Sequence, residues 1–312
     1  MFRSLAACIL VVSLFPLRAQ AQTVEPPSPG DLKSLWHQSV ERKYLEYVPK
    51  DGKTGPRSVL IDLHGLRPAN WKNWIAPALQ GLADREGLLV LRPEAINFRW
   101  NYAAPDAMQS AGQKIGNDVA DDVGFITALI DAKVSTGFAD PARVYVTGDS
   151  RGGIMAFELM CKASQKIAAA GPMIASMMEK QLAACNPERP VPVMAINGTM
   201  DDNIFYDGWI REGKRQLSTP EVMDFWRRQH GCSEQRGDPI PKREGVTGDR
   251  TSIWKITWMG CRQEGAVLLY RVNGGGHSTP SLRVRSQDEH GRRNQDFEAI
   301  EEFWAFASKF RR

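Results

Sequence analysis

Val144-Tyr145-Val146-Thr147-Gly148-Asp149-Ser150-Arg151-Gly152-Gly153-Ile154-Met155-Ala156-Phe157-Glu158-Leu159-Met160 is the stretch whose reading decides the fold. An apolar, strand-like run ends at Val146, and a helix-like run starts at Gly153. Between them stands Gly148-Asp149-Ser150-Arg151-Gly152, a GxSxG segment. A strand-to-helix turn this tight needs small residues beside the serine and lifts its hydroxyl clear of the sheet, which describes a nucleophile elbow. The pattern by itself is weak, since glycine and serine are common. Its position at a strand-to-helix junction gives it weight, against the plainer reading of a glycine-rich loop with a solvated serine.

Working outward, Arg42 to Val48 reads as a strand, and Ser58-Val59-Leu60-Ile61-Asp62-Leu63 is an apolar run ending at His64-Gly65. Leu88-Leu89-Val90-Leu91 ends at Arg92-Pro93, and Val191 to Ile196 is another such run. Short apolar runs separated by helical stretches are the signature of a buried parallel sheet. Val119, Val123, Ile126, Ile130 and Val134 make one apolar helix face, leaving Asp121, Asp122 and Asp131 for water. Ser218-Thr219-Pro220-Glu221 opens a helix with a capping box. Ile253 to Trp258 alternates, Ala266 to Val272 supplies the last strand, and a closing helix turns Phe297, Ile300, Trp304, Ala307 and Phe310 toward the sheet. The expected class is α/β, a mostly parallel central sheet with helices on both faces, in one domain over residues 22–312.

The chain of 312 residues, 42% hydrophobic and 24% charged, has a formal charge of +4. Arg3, an apolar stretch over residues 5–17 and Ala19-Gln20-Ala21 read as a secretory signal peptide over residues 1–21, so the expected location is secreted or periplasmic. Cleavage removes Arg3 and Arg18 and no acid, taking the charge to +2. With no basic run interleaved with aromatics, nucleic acid is not an expected partner, and no membrane anchor is expected. Cys161, Cys185, Cys232 and Cys261 allow three disulfide connectivities, of which nearest-neighbour pairing, Cys161 with Cys185 and Cys232 with Cys261, is the choice. No CxxC pair or cysteine–histidine cluster suggests a metal.

A serine hydroxyl is a weak nucleophile at neutral pH and needs a base in hydrogen-bond reach, itself oriented by a carboxylate. For a serine on such an elbow the chain order is serine, acid, histidine. His277, in Asn273-Gly274-Gly275-Gly276-His277 just after a strand, fits better than His290, which stands among Gln287, Asp288, Glu289 and Arg292. The strand Val191 to Ile196 runs into Asn197-Gly198-Thr199-Met200-Asp201-Asp202. Asp201 is the chosen acid and Asp202 the loop-surface alternative, which spacing barely separates. The backbone amides of Arg151 and Leu66 are the expected oxyanion donors, with His64 a strand-end support for that loop. The Arg151 guanidinium as a holder of an anionic substrate is a further, weaker option. Trp71, Trp74, Trp100 and Tyr102 fall in loops at the sheet's carboxyl edge, where they line an acyl or aromatic pocket or else pack the loops.

Leu63-His64-Gly65, Asp121-Asp122-Val123-Gly124-Phe125, Arg143 to Ser150, Gly198-Thr199-Met200-Asp201 and Gly274-Gly275-Gly276-His277 occur in an order that resembles the secreted polyhydroxybutyrate depolymerase and feruloyl esterase family of α/β-hydrolases, acetylxylan esterase-like members included. The resemblance covers about the whole mature chain. It implies an α/β-hydrolase fold, Ser150 as nucleophile, His277 as base, and Asp201 rather than Asp202 as acid. It also implies a small-molecule or oligomeric ester as substrate, with no cofactor. The family often carries cysteines near Cys232 and Cys261. Two departures stand out: Asn197 where a histidine is usual before Gly-Thr, and no tryptophan in Ser278-Thr279-Pro280 after His277. The competing expectations are a prolyl-type serine peptidase of the same fold and a non-catalytic binding protein with a degenerate hydrolase fold.

Overall fold

The computed structural model describes residues 30–66, 75–102, 114–115, 118–243, 248–262, 265–284, 287–288 and 291–312. The leader expected over residues 1–21, Trp71, Trp74 and His290 lie outside the described residues.

Ten strands build the main sheet: β1 Asp31–His37, β2 Val40–Tyr47, β3 Arg57–Leu63, β4 Leu89–Pro93, β5 Ala139–Asp149, β6 Ala169–Met173, β7 Val193–Gly198, β8 Glu234–Ile240, β9 Ser252–Met259 and β10 Val267–Asn273. Their spatial order is β1-β2-β4-β3-β5-β6-β7-β10-β9-β8. From β4 across to β10 every neighbouring pair is parallel. Antiparallel pairings attach β1 and β2 at one edge and β9 and β8 at the other.

Helices α1 Pro77–Glu86, α2 Asp122–Ser135, α3 Arg151–Lys162, α4 Glu179–Ala183, α5 Thr219–His230 and α6 Ala299–Ala307 complete the framework. Alternation along the strands divides the core. Val59, Ile61 and Leu63 pack with Phe125 of α2, Phe157 of α3 and Trp226 of α5, whereas Leu60, Val90 and Met194 pack with Leu82 of α1 and Phe303 of α6. A strand covered on both faces has no polar side to show, which is why the middle of β3, Val59-Leu60-Ile61, is apolar at successive positions rather than alternating.

The local signals act as the chemistry dictates. Ser218 caps α5 in a full capping box with Glu221, and Gly231 ends that helix at φ 60°. Both expected disulfides are present. Cys161–Cys185 ties the end of α3 to the chain after α4, and Cys232–Cys261 joins the exit of α5 to the exit of β9. Among the described residues, no helix is long and apolar enough to cross a membrane.

Three expectations need correction. Asp122 is not left for water: it is 1% exposed, lies 2.5 Å from the guanidinium of Arg42, and accepts the Asn101 N–H at 2.6 Å. It starts α2 beside the β2 edge, where a buried cation awaits it. The helix begins there, with Asp121 as N-cap accepting the Gly124 N–H, so Val119 is outside it and pairs as strand with Lys114. On α6 the fully buried ring is Phe303, with Ile300 and Trp304 at the margin. Phe303 lies over β6, where a Cβ on Gly171 would stand 2.4 Å from its ring.

Candidate active site

The elbow is a steric necessity before it is anything else. Ser150 joins β5 to α3 with φ 56° and ψ −118°, a backbone state costly for a residue with a side chain. Its N–H donates to Met173 O at 3.0 Å, and its carbonyl accepts the Ile154 N–H at 3.0 Å. A Cβ on Gly152 would stand 2.0 Å from Leu63 O, and one on Gly148 would stand 2.6 Å from the Gly152 carbonyl carbon. Gly152 is therefore fixed by the closeness of β3 and Gly148 by the elbow's own return past it, and the serine is left as the protruding side chain.

His277 arrives from the end of β10. Gly274 turns at φ 72° and donates to Thr199 Oγ1 at 2.9 Å, while Gly276 donates to Arg292 O at 2.9 Å. The β7 end is pressed against this loop. A Cβ on Gly198 would lie 2.4 Å from Gly275 O, and the Met200 N–H donates to Gly275 O at 2.8 Å. That contact sets Asp201 beside the imidazole.

The three side chains meet in one line. Asp201 Oδ2 is 2.7 Å from His277 Nδ1, and His277 Nε2 is 2.9 Å from Ser150 Oγ. Asp201, 5% exposed, also accepts on Oδ1 the N–H groups of Asn203 at 2.9 Å and Ile204 at 2.8 Å. With the carboxylate on its Nδ1 side, the ring donates there and presents Nε2 as acceptor to the serine O–H. Asp202 is exposed and holds only its neighbour Asn203 through Nδ2 at 3.0 Å, so geometry separates the two acids that spacing did not.

The loop carrying Leu66 lies against the elbow: a Cβ on Gly65 would be 3.0 Å from Asp149 O and 3.3 Å from Ser150 Cβ. His64 braces it. Its Nε2 accepts the Ala95 N–H at 3.0 Å, so Nδ1 carries the proton and donates to Gly65 O at 2.7 Å. Trp100, 1% exposed, donates its indole N–H to His64 O at 2.8 Å and packs its ring 4.8 Å from the imidazole. Trp100 therefore secures this loop and offers no surface to a pocket. Tyr102, 4% exposed, borders a cavity of about 320 Å³ together with Asp122, Glu158 and Lys162.

Sequence reasoning passed over Met200, 70% exposed, and Ile210, 74% exposed, which bring apolar surface to the segment leading away from Asp201. Ile210 lies in a hairpin pairing Trp209–Arg211 with Lys214–Gln216. An apolar residue inside the polar turn Thr199-Met200-Asp201-Asp202 was the available signal.

No protein-family model matches the chain. Curated relatives named feruloyl esterase, acetylxylan esterase and poly(3-hydroxybutyrate) depolymerase are similar to it at 24–30% identity. Feruloyl esterase B of Piromyces equi is 30% identical over 166 residues, which are 51% of this chain and 29% of that protein. The chain thus spans less than a third of that relative's length. Probable feruloyl esterase C of Aspergillus niger is 24% identical over 292 residues, 89% of this chain and 93% of that one. Among solved structures, the acetyl xylan esterase from Aspergillus awamori aligns with a TM-score of 0.52 at 15% identity, over 80% of this chain and 94% of that one. With the strand order above, that likeness identifies the fold as α/β-hydrolase.

Proposed function

We propose that this chain is a serine hydrolase of carboxylic esters, working by acyl transfer through Ser150. The observation that carries the reading is the unbroken line of contacts from Asp201 through His277 to Ser150, at 2.7 and 2.9 Å. Ser150 Oγ attacks the ester carbonyl while His277 Nε2 takes its proton. Asp201 holds the ring and stabilises the imidazolium that forms. The tetrahedral oxyanion is held by the backbone amides of Arg151 and Leu66, a placement supported by the close approach of Gly65 to the elbow. Each such donor contributes about 3 kcal/mol to the transition state. His277 then returns its proton to the leaving alcohol, and water, activated by the same imidazole, releases the acid. Every proton and electron pair in this scheme moves among three side chains, ester and water, so it calls for no metal or organic cofactor.

The names of the relatives support a soluble hydroxyacyl oligomer or a plant-wall side-chain ester as substrate. The two disulfides support work in an oxidising compartment, outside the cytosol. A panel of hydroxybutyrate oligomers, methyl ferulate and acetylated xylan, ranked by kcat/KM, tests the substrate class. The Ser150→Ala protein run in parallel tests the chemistry. Turnover that survives this substitution contradicts the mechanism.

A further inference from the structure

Arg151 is the first residue of α3 and follows Ser150 directly. A cation there runs against the local electrostatics, because the first turn of a helix is its positive pole and favours acids. No acidic residue occupies that first turn. Arg151 is half-buried, and among the described residues no hydrogen bond or ion pair holds its guanidinium. The acid on the same face of α3 is Glu158, seven residues on and so about 10 Å along the axis. Glu158 already accepts from Gln181 Nε2 at 3.0 Å. Asp149, on the other side of the serine, borders a separate cavity with Arg92 and Thr279. The positive charge of Arg151 does reach Tyr102: burial pushes that phenol up, and Arg151 pulls it back down. The guanidinium therefore sits in a partly desolvated place within reach of Tyr102, on the residue that follows the reacting serine, where a charge acts more strongly than on an open surface.

Resting on the esterase reading above, we infer that Arg151 is a specificity-determining residue that recognises a carboxylate on the acyl part of the substrate, a few bonds from the scissile carbonyl. An arginine side chain extends about as far as a chain of four methylene groups. The amide of Arg151 addresses the carbonyl oxygen while its guanidinium addresses the far carboxylate. The preferred substrate class is then the half-ester of a dicarboxylic acid or an acidic oligomer end, rather than a neutral acyl group of the same length.

The test compares kcat/KM for the mono-4-nitrophenyl ester of adipic acid with that for 4-nitrophenyl hexanoate, which carries a methyl group where the other has its carboxylate. The expected result is an anionic-to-neutral ratio above one in the unaltered protein. That ratio falls about tenfold in Arg151→Gln, is partly kept in Arg151→Lys, and declines with added salt only where the cation is present. Using the ratio removes any general loss of rate caused by altering a neighbour of Ser150, and the salt series on the unaltered protein holds even where a variant folds poorly. Turnover of both esters with a ratio that neither substitution nor salt moves overturns the role of Arg151 and leaves the esterase reading standing. Failure to turn over either activated ester overturns the esterase reading itself.

Discussion

Ser150 Oγ stands 2.9 Å from His277 Nε2 only because the Ser150 backbone is held at φ 56°, outside the comfortable range for a residue with a Cβ. Reach and strain are one feature here. Relieving the strain without the hydroxyl separates them: Ser150→Gly is expected to raise unfolding stability by about 1 kcal/mol over Ser150→Ala while both lose turnover. Urea unfolding of the two variants checks it. Equal stabilities would mean the turn is not strained.

Asp201 and Asp202 are neighbours with different work. Asp201→Asn keeps the shape of the contact but removes the charge that steadies the imidazolium, and kcat is expected to fall by about 10³–10⁴. Asp202→Asn, on an exposed side chain, is expected to change kcat less than twofold. Steady-state kinetics on one activated ester decide between them, and a reversed ranking would reassign the acid.

His230 gives the fold a pH dependence away from the site. It is fully buried at the end of α5 beside Trp226, and burial pushes its imidazole down to about 4. The unfolded chain binds a proton near pH 6.5, whereas the folded chain resists until about 4. Stability is therefore unaffected by this group above pH 6.5 and falls as pH drops through that window, by about 3 kcal/mol in all. His230→Leu should flatten that part of the curve in urea unfolding between pH 7 and 4. An unchanged slope contradicts the account.

Much of this was readable in advance because the governing residues act locally. Gly148 and Gly152 flank a serine between a strand and a helix, Ser218 and Glu221 form a capping box, and Val59-Leu60-Ile61 is an unbroken apolar run in the middle of β3. Chain order and strand ends single out Ser150 and His277, while the resemblance settles Asp201 over Asp202, and these three side chains do meet. What stayed hidden depends on partners distant in sequence. β6 is Ala-Ala-Gly-Pro-Met, with no bulky residue and a proline, yet it is buried mid-sheet because Phe303 fills the space above Gly171. β1 and β8 are polar, mostly exposed edge strands with no alternation to read. Asp122 looked solvated because Arg42, its partner, lies 80 residues away. Trp100 read equally as a pocket wall or as loop packing, and its indole N–H on His64 O makes it the latter.

The central claim is that Ser150 is a nucleophile made reactive by His277. Treating the protein with a fluorophosphonate and locating the adduct by peptide mass spectrometry tests it most directly. The account predicts one phosphonylated residue, Ser150, with labelling slowed by at least about a hundredfold in His277→Ala, the scale on which a positioned base acts. An adduct on another residue, or labelling of Ser150 at an unchanged rate without His277, contradicts it.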